Sequence, residues 1–370
     1  MTERDRYQAL MGQAPRDIPH WEYLGSPRAE TYLTGIDFYE HPRQCRRRLA
    51  EMYPQLNVEI PENDDPIPRP EVDGTATTVG RDAEGRRVVR WGSQVTHHWD
   101  MGGRFRTVED VFAFSPLAEP DFTHSNVVNT WDFSSEEALY RHFRPQYPAE
   151  WGDRAPGAIA MAGSTAHVGV YQTMFMWPLL VFGWELFMEA CLDPRFERVM
   201  DEFAELNRRL FRAFARLPVN FVHCHDDIVN TRGPVCSRPW MNRYIFSRYE
   251  EFWGIVRAAG KEVIFISDGC MDAYADDVFA CGARGILGEP YTDYKAIARR
   301  HRDCFLAGEG DTRVLSRNDP AAIEAMVRRM VDTAHMTGGY FMRIGNEITW
   351  TTPPEAVKLY LDLSHELAHR

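Results

Sequence analysis

Nowhere in these 370 residues does an apolar run approach the roughly 18 to 20 that span a bilayer, and the opening Met1-Thr2-Glu3-Arg4-Asp5-Arg6 has no apolar signal core. A cytoplasmic protein with no membrane partner is expected. Positive charge is in deficit: 42 Lys and Arg face 54 Asp and Glu, a formal net charge of -12. Gripping a nucleic-acid backbone takes clustered Lys and Arg, so nucleic acid is not an expected partner, and Arg46-Arg47-Arg48 reads as the solvated face of a helix. The seven cysteines (Cys45, Cys191, Cys224, Cys236, Cys270, Cys281, Cys304) are an odd number, widely spaced and without a CxxC pair. That argues against a disulfide scaffold and predicts reduced thiols. Also missing are the GxGxxG and GxxxxGK[ST] phosphate loops that a doubly wound open sheet would place after an early strand.

What the chain does contain is alternation. From Gly157 onward, strand-type and helix-type stretches follow one another without a linker-like break. Strands are expected at 158–162, 220–225, 262–266, 285–287, 304–307 and 340–344. Helices are expected at 184–215 (interrupted at Asp193-Pro194), 238–259, 271–281, 293–300, 320–336 and 354–368. Upstream come a helix over 3–12, a strand over 17–21, a helix over 42–53 and a strand over 56–60. Such a series favours a parallel closed sheet. The expected fold is α/β, a (β/α)8 TIM-type barrel forming one domain over residues 1–370, with an N-terminal helical extension. The period of two in Arg87-Val88-Val89-Arg90-Trp91 and Gln94-Val95-Thr96-His97-His98-Trp99 predicts a β-hairpin insertion near the barrel mouth.

In such a barrel, residues just past the C-terminal strand ends point into the mouth, whereas those at the other end serve stability. His223, His225, Asp226 and Asp227 follow one strand, Asp268 the next and Glu289 the one after. Glu309 and Asp311 follow the next, and Asn346 and Glu347 the last. His223 and His225 share a strand face, with Cys224 opposite; His223 can also belong to the barrel packing. Two adjacent carboxylates beside two imidazoles exceed what a turn needs, so Asp226 or Asp227 is expected to act with His225 and Asp268. Asp268 can also open an Asx turn, and Pro290 holds Glu289 extended. His301 and His335 read as C-terminal helix caps, and the aromatic, Met-rich run 171–178 as core. One imidazole with carboxylates from different strand ends, His225, Glu289 and Glu309, suits a divalent ion such as zinc. The same set can act as acids and bases without a metal, and spacing leaves both open.

Several motifs act in combination: Asp226-Asp227 after a strand, Gly233-Pro234 with Ser237-Arg238-Pro239-Trp240, Ser267-Asp268-Gly269, and Gly282-Ala283-Arg284-Gly285-Ile286 leading to Glu289-Pro290. Gly308-Glu309-Gly310-Asp311-Thr312-Arg313 and Pro353-Pro354-Glu355 follow, and upstream Trp91-Gly92, Thr107-Val108-Glu109-Asp110-Val111 and Ser115-Pro116. Together they resemble the uroporphyrinogen decarboxylase superfamily. The resemblance implies a TIM-type barrel and a function among tetrapyrrole decarboxylases or methyltransferases that work with corrinoid proteins. The decarboxylases hold substrate carboxylates with arginines in a Pro-x-Trp-x-x-Arg-Gln-Ala-Gly-Arg segment. Here that segment runs from Pro19 to Arg28, with Leu24 at the first arginine and Glu22 nearby, which fits uroporphyrinogen poorly. It implies His20, Trp21 and Arg28 as substrate-binding residues, joined by Asn346 from the last strand. The methyltransferase branch often binds zinc through His-x-Cys and a later Cys. The matching positions are Ile266, Asp268 and the neighbourhood of Glu309, so transfer to a thiol such as coenzyme M is not expected.

The resemblance therefore implies a methyltransferase that demethylates a small methoxylated or methylated substrate. The methyl group would pass to a corrinoid (cobalamin) on a partner protein, since the chain has no Asp-x-His-x-x-Gly corrinoid motif. Zinc is the expected metal, and relatives are often homodimers. The alternative is a cofactor-independent decarboxylase of a small or tetrapyrrole-like carboxylic acid, with Asp226 or Asp227 meeting a cationic intermediate. A third reading is a corrinoid- or tetrapyrrole-binding barrel without catalysis.

Overall fold

The structure, a computed structural model, describes residues 3–69, 77–81, 87–91, 94–97, 105–119, 131–147, 167–171 and 173–370. Eight short strands carry the architecture: β1 His20–Trp21, β2 Leu56–Asn57, β3 His167–Tyr171, β4 Phe221–His225, β5 Glu262–Ile266, β6 Gly285–Leu287, β7 Phe305–Ala307 and β8 Gly339–Phe341. Strands β3 to β8 form one six-stranded sheet in chain order, all pairs parallel. β1 pairs parallel with β2, and a parallel bridge from His20 to Met342 joins β8 back to β1. Chain neighbours are thus spatial neighbours, the order of a (β/α)8 barrel. Pairing of β2 with β3 is the single link of the ring not seen among the described residues.

The third strand lies at 167–171, and the strand expected at 158–162 falls outside the described residues. The expected hairpin is present as part of a three-stranded antiparallel sheet over Thr77–Arg81, Arg87–Trp91 and Gln94–His97. Helices fall close to their expected bounds. In Phe196–Arg216, the buried Val199, Phe203, Leu206, Leu210 and Phe214 recur at three- and four-residue spacing, while Arg198 and Asp201 face solvent. Each large apolar side chain buried in this way contributes about 1.5–3 kcal/mol. His301 and His335 occupy helix C-cap positions, as expected. Arg46 reaches the buried Glu30 carboxylate, so this part of the basic patch is tied to the fold, whereas Arg48 pairs with exposed Glu51.

Alternation along the strands sorts the side chains. Phe221, Ile264, Leu287, Phe305, Phe341 and Trp21 point into the barrel, and Val222, Cys224, Val263, Phe265, Leu306 and Tyr340 face the helices. The helix Glu3–Leu10 closes the N-terminal end: Ala9 and Leu10 join the inner cluster, and Tyr7 meets Phe221 edge-on at 6.0 Å. The approach is so close that a Cβ on Gly339 would strike the Ala9 carbonyl oxygen. Only the opposite end is left for chemistry.

The seam between β8 and β1 is tied from both sides. Buried Glu22 accepts the Ile344 N–H at 3.0 Å and the Tyr360 hydroxyl at 2.6 Å, and lies 2.9 Å from His20 Nε2. Met342 donates its N–H to the Pro19 carbonyl at 2.8 Å. Among the described residues no helix is long and apolar enough to cross a membrane, and all seven cysteines are free.

Candidate active site at the barrel mouth

Backbone pairing continues past the strand tips. Asp226 N–H donates to the Ile266 carbonyl at 3.0 Å, Ser267 N–H to Leu287 at 3.1 Å, and Gly288 N–H to Ala307 at 3.0 Å. The tips stay in register, so strand alternation carries His225 and Asp227 from β4, Asp268 from β5 and Glu289 from β6 onto the inward face. His225 Nε2 lies 3.1 Å from Asp227 Oδ1, and that oxygen accepts the Asp268 N–H at 2.7 Å. On the other side, Glu289 Oε2 accepts the Gly269 N–H at 2.9 Å. The tip of β5 is therefore braced by a carboxylate from each neighbouring strand.

His225, Asp227 and Asp268 each offer a donor atom, and the three atoms lie within 4.8 Å of one another. Burial, and then the negative charges of Asp227 and Glu289, push the Asp268 carboxyl up to about 7, while His225 and Arg343 pull it the other way. An imidazole with two carboxylates is a hard-to-borderline donor set that fits zinc, and three protein ligands leave room for a further ligand from solvent or substrate.

Asp226 departs from the expected set. With His225 inward, Asp226 must face the helices, and it is fully buried there. Its Oδ2 accepts the Thr173 hydroxyl at 2.6 Å, the N–H groups of Met174 and Phe175 at 2.9 Å, and the Tyr249 hydroxyl at 2.6 Å. Its Oδ1 takes the Met176 N–H at 2.6 Å. Burial raises its pKa and these bonds oppose the rise. The expected catalytic role gives way to anchoring the helix Met176–Phe182 onto β4, which also explains why the run 173–178 is core.

Glu309 departs for a different reason. Gly308 has φ +98°, and a Cβ there would strike the Gly288 carbonyl oxygen. The turn at Gly308 breaks the alternation and sends Glu309 outward, 2.9 Å from the Tyr340 hydroxyl and 3.1 Å from Arg329 Nε. It lines a separate cavity of about 330 Å³ with Asp311 and Arg329. Its expected ligand role is corrected on that ground, and Glu289 stands beside the trio without joining it. Asp311 caps the helix Thr312–Ser316 and pairs with Arg313 at 2.8 Å.

The expected substrate residues do not converge. His20 faces outward, edge-on to Tyr360 at 5.3 Å, and is engaged with Glu22. Arg28 is exposed on the helix Pro27–Thr34, and Asn346 is exposed beyond β8. Only Trp21 lies inside the barrel, and His223 is packed in the layer below His225. One residue at the mouth was not anticipated: Arg343, whose guanidinium sits 4.0 Å over the Trp21 ring and 4.8 Å from that of Tyr23. The signal was available, because Phe341 faces inward and a period of two puts Arg343 on the same side.

Residues 192–367 match the family model for uroporphyrinogen decarboxylase (URO-D). The chain is similar in structure to a methyltransferase from Methanosarcina mazei at 15% identity, with a TM-score of 0.53 and 99% of each chain covered. That likeness shows the fold, an α/β barrel of TIM type. A native xylanase 10B from Thermotoga maritima is matched at 10% identity and a TM-score of 0.31, over 46% of this chain and 68% of that one, too weakly to carry an argument. No curated protein sequence matches the chain.

Proposed function

We propose, from a carboxy-terminal half that resembles the uroporphyrinogen decarboxylase family on a TIM-type barrel, that this protein is a methyltransferase. It demethylates a small methoxylated or methylated substrate and passes the methyl group to a corrinoid carried by a partner protein, in a cytoplasmic setting. The observation that supports this reading is the convergence of His225, Asp227 and Asp268 at the mouth. These residues would hold zinc, which when bound supplies Lewis acidity toward the oxygen or nitrogen that bears the methyl group. In that reaction the partner's corrinoid would supply a cob(I)alamin nucleophile to accept the methyl group as a cation equivalent, while the bonding pair would stay on the heteroatom, which would take a proton from solvent. Asp227 orients the His225 imidazole, and Glu289 fixes the β5 tip that carries Asp268. Trp21, Leu287 and Phe341 keep water from reaching the site through the barrel.

One observation favours a second reading, a cofactor-independent decarboxylase. An Asp268 carboxyl at about 7 is a proton donor at neutral pH that needs no metal. A single experiment separates the two. The protein, zinc-loaded or chelator-stripped, is mixed with a cob(I)alamin-loaded corrinoid protein and a panel of methoxylated and N-methylated compounds, and methylcobalamin is followed by absorbance. Methyl transfer that needs zinc and fails in His225→Ala is the expected result. Metal-independent release of carbon dioxide from a carboxylic acid, with no methylcobalamin from any donor, would replace it with the decarboxylase.

A further inference from the structure

We infer that Arg343 is the anion receptor of the barrel mouth, and that the substrate is a small, flat carboxylic acid held by its carboxylate. This deepens the reading above by naming the substrate's charged group, and rests on it only in taking the mouth as the substrate site. Arg343 is 2% exposed. A guanidinium carries five N–H donors. Here Nη2 donates to the Asn346 carbonyl at 3.2 Å, while Nε and Nη1 are buried with no hydrogen-bond partner.

A charge in that position is costly unless something completes it, since burying a cation without a counterion forfeits its hydration. The nearby Glu22 helps through its field, but its carboxylate is already engaged by Ile344, Tyr360 and His20. The rings of Trp21 and Tyr23 support the guanidinium by cation–π contact and leave its N–H donors unmet.

The missing partner is thus an acceptor, and several facts narrow its nature. Arginine matches the planar carboxylate with two parallel hydrogen bonds, which a point charge such as lysine cannot reproduce. The adjoining walls are aromatic, with Trp21 and Tyr23 edge-on to each other at 4.8 Å, so a flat ring next to the carboxylate has surface to lie against. Tyr23 is 53% exposed, so the outer of these two walls opens to solvent. Arg343 stands two residues past the end of β8, across the mouth from the carboxylates that follow β4 to β6. An acid bound there keeps its negative end away from Asp227, Asp268 and Glu289 and turns its far end toward them.

The test is calorimetric binding of 4-methoxybenzoate and of 4-methoxybenzamide to the zinc-loaded protein without any corrinoid, with inorganic phosphate as a third probe. The acid should bind about tenfold or more tightly than the amide, the usual scale for a buried charge-assisted hydrogen bond. Arg343→Met should abolish the preference and Arg343→Lys should keep part of it. Equal binding of acid and amide, failure of both to bind, a preference that survives in Arg343→Met, or phosphate binding as tightly as the acid would each overturn the assignment. If Arg343→Met does not fold, the wild-type contrast and Arg343→Lys decide. Because the calorimetry contains no corrinoid, the two readings fail separately: tight acid binding here, with no methylcobalamin from any donor in the methyl-transfer experiment, rejects the methyltransferase reading and leaves the receptor standing.

Discussion

A single oxygen, Asp227 Oδ1, faces both the His225 imidazole at 3.1 Å and the Asp268 amide at 2.7 Å. Asp227 therefore sets where two other members of the site lie. Asp227→Asn keeps an oxygen for the amide but loses the charge that orients the imidazole. Zinc affinity, measured by competition with a chromophoric chelator, should fall about 10- to 100-fold with little change in melting temperature. An unchanged affinity would remove Asp227 from the ligand set.

Zinc bound at the proposed site would have to displace the Asp268 proton. With that carboxyl at about 7, affinity should rise roughly tenfold per pH unit below neutrality and flatten above it, a profile absent from Asp268→Ala. The same shift sets the stability of the metal-free protein. A carboxyl whose folded pKa lies above its unfolded value stabilises the fold most at low pH, and that contribution is lost as pH rises from about 4 through about 7. Asp268→Asn should accordingly raise the melting temperature relative to wild type at pH 8, and the advantage should disappear near pH 4.

For Asp226 the expectation is reversed. Five hydrogen bonds end on its carboxylate inside the core, so Asp226→Ala strands buried donors and should cost at least about 3 kcal/mol in urea denaturation. The folded fraction should still take up zinc normally. Loss of zinc binding with full stability would return Asp226 to the site.

Glu309→Gln should separate the two cavities. It weakens the contacts to Arg329 and Tyr340 and should destabilise the protein by about 1–3 kcal/mol, leaving zinc stoichiometry unaltered. A drop in bound zinc would show that the turn at Gly308 does not keep Glu309 away from the mouth.

The barrel was legible in the sequence because the strand and helix stretches alternate and because period-two patterning sets the inward face. His225, Asp227 and Asp268 follow from the rule that residues just past the C-terminal strand ends face the mouth, which works where inter-strand pairing persists past the tips. It fails at Gly308, where a left-handed backbone reverses the direction of the next side chain and no pattern in the letters marks the reversal. The place of Asp226 is legible in the letters: adjacent to an inward His225 it faces outward, and the two neighbouring carboxylates have opposite parity. Arg343 lies within the last expected strand, whereas the strand-end rule points beyond it to Asn346, where the chain has already turned to solvent.

The seam that Glu22 ties has a consequence for synthesis. Glu22 and Ile344 are 322 positions apart, and Glu22 and Tyr360 are 338 apart. At roughly 5 to 20 residues per second, β1 leaves the ribosome about 15 to 60 seconds before the strand it must pair with exists. Throughout that interval Trp21 has no Arg343 to cover it, and β1 offers an unpaired edge to any passing chain. Until β8 arrives the nascent barrel is an open arc whose seam cannot close.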